Sequence, residues 1–195
     1  EEGAFYRQSS DGQPNQITPE QKDRMAVVIA SPLNLVTCPT RREARGFGVM
    51  TGVPYNSSRY ELAGRADYAI NCGSQKANEF NGGPATIEQG ADGHGNLSST
   101  GRNASGKIQY SGFSFTNSRV SVNHVEDGLS KTVLLMEKFV FSNHYLDGWD
   151  HGDNETWCTG FNNDNFRPTQ FVPRKDIPEP NQVTTRSSGR FTVGS

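Results

Sequence analysis

Apolar and polar positions follow a helical period most clearly in "ITPEQKDRMAVVIASP", where Met25, Ala26, Val28 and Ile29 fall on one face. Thr18 is placed to cap this segment, Pro19 suits the first helical position, and Gln21 completes a capping-box pattern with Thr18. Pro32 closes it. The next segment, "LNLVTC" (Leu33 to Cys38), alternates as a strand does and stops at Pro39. "RADYAINCG" reads as a strand ending on Gly73, and "KIQYSGFSF" and "RVSVNHV" read as two more. Asp127-Gly128 marks a turn at which Ser130 and Thr132 can cap backbone N–H groups. "TVLLMEKFVF" then predicts a buried strand interrupted by Glu137 and Lys138. Its Leu, Met, Glu and Lys would also suit a helix, but Val133, Phe139, Val140 and Phe141 favour the strand.

Between these elements the pattern dissolves. "RREARGFGVMTGVPYNSSRYELAG" reads as an irregular connection, and residues 74–106, rich in Gly, Ser, Asn and Gln, read as a long surface insertion. From Arg167 onward Pro168, Pro173, Pro178 and Pro180 predict an extended tail. No internal repeat is visible.

Composition supports a small core under many loops. The chain has 195 residues, enough for a single domain spanning 1–195, and only 32% of them are hydrophobic. The aromatic share of 10% argues against general disorder, because each ring buries a large area. A net charge of -2 gives no electrostatic reason to expect nucleic acid or an anionic membrane as partner. No stretch reaches the roughly 20 apolar residues of a spanning helix. None of the 3 cysteines sits in a CxxC pair, so a zinc knuckle or redox motif is not indicated, and spacing alone leaves every disulfide pairing open.

One stretch concentrates chemistry: "YLDGWDHGDNETWCTGFNNDNFRP", from Tyr145 to Pro168. Asp147, Asp150, Asp153, Asn154, Glu155 and Asp164 offer the oxygen ligands that calcium takes, although their spacing is not that of an EF-hand. Asn162 and Asn163 could close such a site. The competing reading is that these oxygens cap turns while aromatic residues anchor the loop. His144 and His151 lie nearby, but no HExxH or paired-His spacing supports zinc. Two of the carboxylates could serve a glycosidase-like hydrolase if a cleft held them apart. No GxSxG elbow, P-loop or dinucleotide fingerprint occurs. Trp149, Trp157 and Phe161 among amides and carboxylates suit a sugar ring or a protein partner, and equally suit a core.

Five segments in order, "ASPLNLVTCPTRR", "GRADYAINCGS", "VEDGLSKTVLLMEKF", "GWDHGDNETWCTGFNNDNFRP" and "RFTVGS", resemble a planctomycete family of unknown function with pilin-like N-termini, also labelled a bacterial solute-binding family. The resemblance covers nearly the whole chain. It implies an α+β head like that of a type IV pilin or pseudopilin, with an antiparallel sheet, one or two short helices and long loops. It also implies that a prepilin-type leader and hydrophobic anchoring helix precede this segment, and that a segment with His, nine residues and Asp-Gly follows. Some pseudopilin heads hold calcium in a C-terminal loop, which adds to the calcium expectation. The family usually has a Cys at the position of Cys38 and another in the segment that follows. Cys72 and Cys158 stand where it has other residues. On that comparison a Cys72–Cys158 disulfide is expected, with Cys38 unpaired. The expected role is a non-enzymatic structural or adhesive one, extracytoplasmic, in a pilin-like assembly or envelope complex. Solute or glycan binding is the alternative, and a hydrolase using the acidic loop the third.

Overall fold

The computed structural model describes residues 2–49, 53–54, 56–73, 86, 88, 105, 110–115 and 118–180. The segment 74–106, read from sequence as an insertion, lies outside the described residues apart from Thr86, Glu88 and Ser105, as do residues 181–195 with the final "RFTVGS". Helix α1 (Glu2–Ser9), which the sequence pattern did not indicate, packs against α2 (Pro19–Ala30). Helix α2 is the one predicted. Thr18 Oγ1 accepts from Gln21 N at 3.1 Å, and Val28 and Ile29 face inward. The capping box is only half formed. Gln21 Nε2 turns away to Asp11 Oδ1 (2.8 Å) and the Gln13 carbonyl (2.7 Å), so Asp11 rather than the cap residue completes the helix start.

The expected strand at 33–38 is instead a 3₁₀ turn, Asn34–Val36. Its backbone bonds locally (Val36 N to Leu33 O, 3.1 Å), and Thr37 Oγ1 also donates to Leu33 O. Two short strands, β1 (Phe47–Gly48) and β2 (Leu62–Ala63), pair antiparallel within the connection read as irregular. The larger sheet centres on β3 (Tyr68–Gly73), as "RADYAINCG" predicted. It is flanked by β4 (Leu135–Glu137) antiparallel and β5 (Phe166–Pro168) parallel. The fold is α+β, as expected: the β1–β2 sheet is antiparallel, and the larger sheet adds one parallel strand to an antiparallel pair. The parallel strand comes from the end of the acidic stretch, where the sequence showed no strand period. "TVLLMEKFVF" contracts to β4, and "RVSVNHV" holds a 3₁₀ turn, Val122–His124, closed by Ser121 N donating to His124 Nδ1. Of "KIQYSGFSF", residues 107–109 lie outside the described residues and 110–115 carry no strand.

The apolar core is correspondingly small. Cys72 and Phe166 form its buried centre, with Ile70 and Phe161 packed on it. Over the end of β3 the chain crosses its own backbone closely: Phe113 N donates to Asn71 O at 2.8 Å. A Cβ at Gly112 would lie 2.2 Å from the Cys72 carbonyl carbon and 2.3 Å from Gly73 N, so glycine is required there. Among the described residues no helix is long and apolar enough to cross a membrane. Because the atoms in the way are backbone, Gly112→Ala should destabilise by about 3 kcal/mol, the upper end of overpacking costs. A urea titration against Gly48→Ala, where the added Cβ would meet nothing within 4 Å and φ is not positive, isolates this crowding, since that variant should unfold close to wild type.

Candidate functional site

The acidic stretch folds around cations, and the protein supplies them. The buried charged residues include four acidic ones (Asp67, Asp150, Asp153, Asp164) and four basic ones (Arg42, Arg65, Lys138, Arg167). Asp153 lies at the centre of these charges. Arg42 grips it with two bonds, Nη1 to Oδ2 at 2.5 Å and Nη2 to Oδ1 at 2.9 Å, while Lys138 Nζ approaches Oδ1 at 2.8 Å. Arg65 Nη1 stands 3.7 Å from Oδ2. Arg42 also pairs with Asp67 at 2.7 Å. Burial alone would raise the Asp153 pKa, but Lys138 and Arg42 overturn that and hold the carboxyl well below its usual range. Asp164 is pushed the other way, up to about 7, because burial outweighs its basic neighbours.

The backbone of the loop is bound by the same cations. Lys138 Nζ donates to the Gly152 carbonyl (2.9 Å) and the Asp164 carbonyl (3.1 Å). Arg167 donates to Gly152 O at 3.2 Å, to Phe166 O at 2.9 Å and to Asn163 O. Arg42 Nη1 reaches Tyr145 O at 2.9 Å. Of the six side chains suggested for calcium, only the Asp153 carboxylate meets the Lys138 ammonium, whose other oxygen partners are the main-chain carbonyls of Gly152 and Asp164.

The expected calcium cage is not assembled. Both Asp153 oxygens are engaged by Arg42 and Lys138. Asp150 Oδ2 accepts from Phe141 N (2.9 Å) and its Oδ1 from Gly152 N (2.8 Å). Asp164 Oδ1 accepts from Glu155 N at 2.9 Å, and Asp147 Oδ1 from Trp149 N at 2.9 Å. Asn154 is buried and Glu155 half-buried. Among the described residues no group of three or more His, Cys, Asp or Glu is placed to hold a metal ion. The turn-capping reading of these oxygens describes Asp147, Asp150 and Asp164, and Asp153 does something the sequence did not indicate.

One further device surrounds Phe47. The guanidinium carbons of Arg42, Arg45 and Arg65 lie 5.1, 5.0 and 5.2 Å from its ring centroid. Arg42 Nε and Arg65 Nε and Nη1 are buried without a hydrogen-bond partner, and the ring's negative face offsets part of that cost.

Nearby, residues 176–179 are tied to the start of the acidic stretch. Asp176 accepts from Arg41 Nη2 (2.9 Å), Tyr145 Oη (2.7 Å) and Val140 N (3.0 Å). His144 bridges Asp147 Oδ2 (2.9 Å) and Glu179 Oε2 (3.1 Å) through its two ring nitrogens. Burial opposes charge on this ring, but the two carboxylates prevail and raise its pKa.

The aromatic candidates separate. Trp149 is 44% exposed and does not line the cleft that holds Trp157 and Phe161. Trp157 donates Nε1 to Ser31 O at 3.0 Å and meets Phe5 of α1 at 5.5 Å, while Phe161 stacks on Phe166 at 4.2 Å. Trp157 and Phe161 share a cleft of about 610 Å³ with Tyr68, Phe115 and Phe166. Alternation along the chain into β3 sets its other wall. Ala66, Tyr68 and Ile70 face the cleft, whereas Arg65 and Asp67 carry the ion network.

The expected Cys72–Cys158 disulfide is not formed, and each of the three cysteines is a thiol. Cys72 is locked into the centre of β3 against Phe166, where burial pushes its thiol up to about 12. Cys158 belongs to the cleft wall, beside Thr156 Oγ1 at 3.6 Å. Sequence reasoning also missed Arg42, Asp67, Lys138 and Arg167. The signal present was Lys138 itself, a charge inside an apolar run.

The site and fold thus define a loop-rich α+β domain built on a buried ion network. The chain belongs to the family described as "Protein of unknown function (DUF1559)" and labelled SBP_bac_10, whose model matches residues 1–190. Neither curated proteins nor solved structures provide a match.

Asp153→Asn removes the charge that compensates Arg42 and Lys138 and should cost about 3–5 kcal/mol, as breaking buried pairs does. Asp164→Asn resembles the protonated acid and should cost no more than about 1 kcal/mol below neutral pH, the scale of one hydrogen bond. Urea unfolding of both variants near pH 6 checks the contrast. The His144 contribution is fully present below the pKa of an unfolded histidine, about 6.5, and is lost as pH rises through the higher folded value. The stability gap between wild type and His144→Gln should therefore narrow when urea titrations move from about pH 5.5 to about pH 8.5.

Proposed function

We propose that this chain is the head of a pilin-like or pseudopilin-like protein that acts without catalysis, outside the cytoplasm, by presenting a rigid surface to neighbouring subunits or an envelope complex. The observation that carries this reading is the fate of the acidic stretch. Its reactive-looking carboxylates are spent on Lys138, Arg42 and backbone N–H groups rather than facing one another across a cleft. An acid–base pair for hydrolysis would need two such groups open to substrate. Cross-linking of intact cells that produce the full-length protein, followed by mass spectrometry, should join this head to pilin-like subunits or to copies of itself. Recovery of the unlinked head alone would overturn the proposal.

The cleft favours a second reading, that the head also holds a small solute. It is lined by aromatic faces, its volume suits a small molecule, and it lies on the side of β3 away from the ion network.

In either reading the Lys138 ammonium orders the loop without an added cation. Thermal melts with calcium and with excess EDTA should superimpose. A midpoint raised by calcium beyond an equal dose of magnesium would show that an ion binds the folded state.

A further inference from the structure

The cleft's lining restricts what it can hold, given the reading that it takes a solute. Its volume of about 610 Å³ falls within the roughly 300–1,000 Å³ of small-molecule sites. Its walls are ring faces already held in place. Phe161 stacks on Phe166 with an interplanar angle of 18° and meets Tyr110 edge-on at 5.6 Å, while Trp157 is fixed through Ser31. A ligand there would find surfaces that need little ordering.

Polarity narrows the class further. No charged side chain lines the cleft, although Arg65 and Asp67 flank Ala66 in sequence, because both are turned into the ion network. An anion or cation would be desolvated there without a counter-charge. The polar lining groups are few. Asn165 Nδ2 is committed to Trp157 O, Thr159 Oγ1 and Gly160 O. The Cys158 thiol is kept neutral by burial, its pKa raised. The Tyr68 hydroxyl is engaged with Cys38, which among the described residues leaves Asn165 Oδ1 and Ser114 Oγ as open partners. A sugar carries several hydroxyls per ring, and each one buried unpaired costs about 1–3 kcal/mol. A flat ring with one or two polar substituents loses nothing comparable and gains stacking contacts.

We propose that the cleft between β3 and the Trp157–Phe166 segment binds uncharged aromatic ring compounds bearing one or two hydrogen-bonding groups, with Asn165 and Ser114 as the polar contacts. The test is ligand-observed NMR and calorimetry on the folded protein with three probes: methyl 4-hydroxybenzoate, the 4-hydroxybenzoate anion and maltotriose. The neutral ester should bind saturably, the anion at least about tenfold more weakly for want of a counter-charge, and the trisaccharide not at all. Cys158→Phe, which fills the cleft, should abolish ester binding, whereas Trp149→Ala, outside the cleft, should not. In wild-type protein, independent of any variant's folding, saturating ester should slow N-ethylmaleimide labelling of Cys158. Trisaccharide binding without ester binding would overturn this inference and leave the solute reading standing. No binding of any probe at millimolar concentration would overturn both. Ester binding that neither protects Cys158 nor responds to Cys158→Phe would place the site elsewhere and overturn the assignment to this cleft.

Discussion

The buried contact of Asp153 with Arg42 and Lys138 is what the other contacts presuppose. It joins a turn after Cys38, the end of β4 and the middle of the acidic stretch, three segments that no strand ladder brings together. The sheet could not do this alone, since β4 and β5 are three residues each and the apolar centre is Cys72 and Phe166. A buried ion pair contributes little net stability, because desolvating both charges offsets most of their attraction. Its value lies in penalising wrong arrangements, which would leave a charge unpaired. In a chain with little apolar surface to bury, that penalty selects one loop conformation among many.

The same logic divides the molecule across β3. Alternate residues leading into the strand face either a fully charged interior or an uncharged aromatic one. Each side excludes what the other holds. Arg65 and Asp67 are consumed on one side, so the cleft on the other stays free of charge. Tyr68 and Ile70 line the cleft instead. Phe47 is the exception that joins the two chemistries, a ring that faces guanidinium groups and takes the place of missing oxygen acceptors.

How much of this was legible follows from how local each signal is. Helix α2 was readable because its cap and stripe lie within a dozen residues, and β3 because its apolar run ends at a glycine. The 3₁₀ turn at Asn34–Val36 defeated the period because three residues of alternation fit a turn as well as a strand. Strand β5 could not be read, since its partner lies about a hundred residues away and its own sequence, Phe-Arg-Pro, has no period. The acidic stretch was legible only as oxygens that could surround a cation or cap turns. The identity of the cation was not legible, because Arg42 and Lys138 lie 111 and 15 positions from Asp153 and nothing local links them. The three thiols mark the limit of family comparison, which suggests pairings that only geometry can decide.

The tethering of Lys138 has a consequence for how the loop is maintained. A bound ion obeys mass action: it leaves when its surroundings are dilute, and the fold it supports becomes a function of supply. An ammonium attached through its own backbone to β4 keeps a fixed high local concentration at Gly152, Asp153 and Asp164, however dilute the medium. The chain carries its counter-ion as a covalent part of itself, and the loop's order is inherited with the sequence.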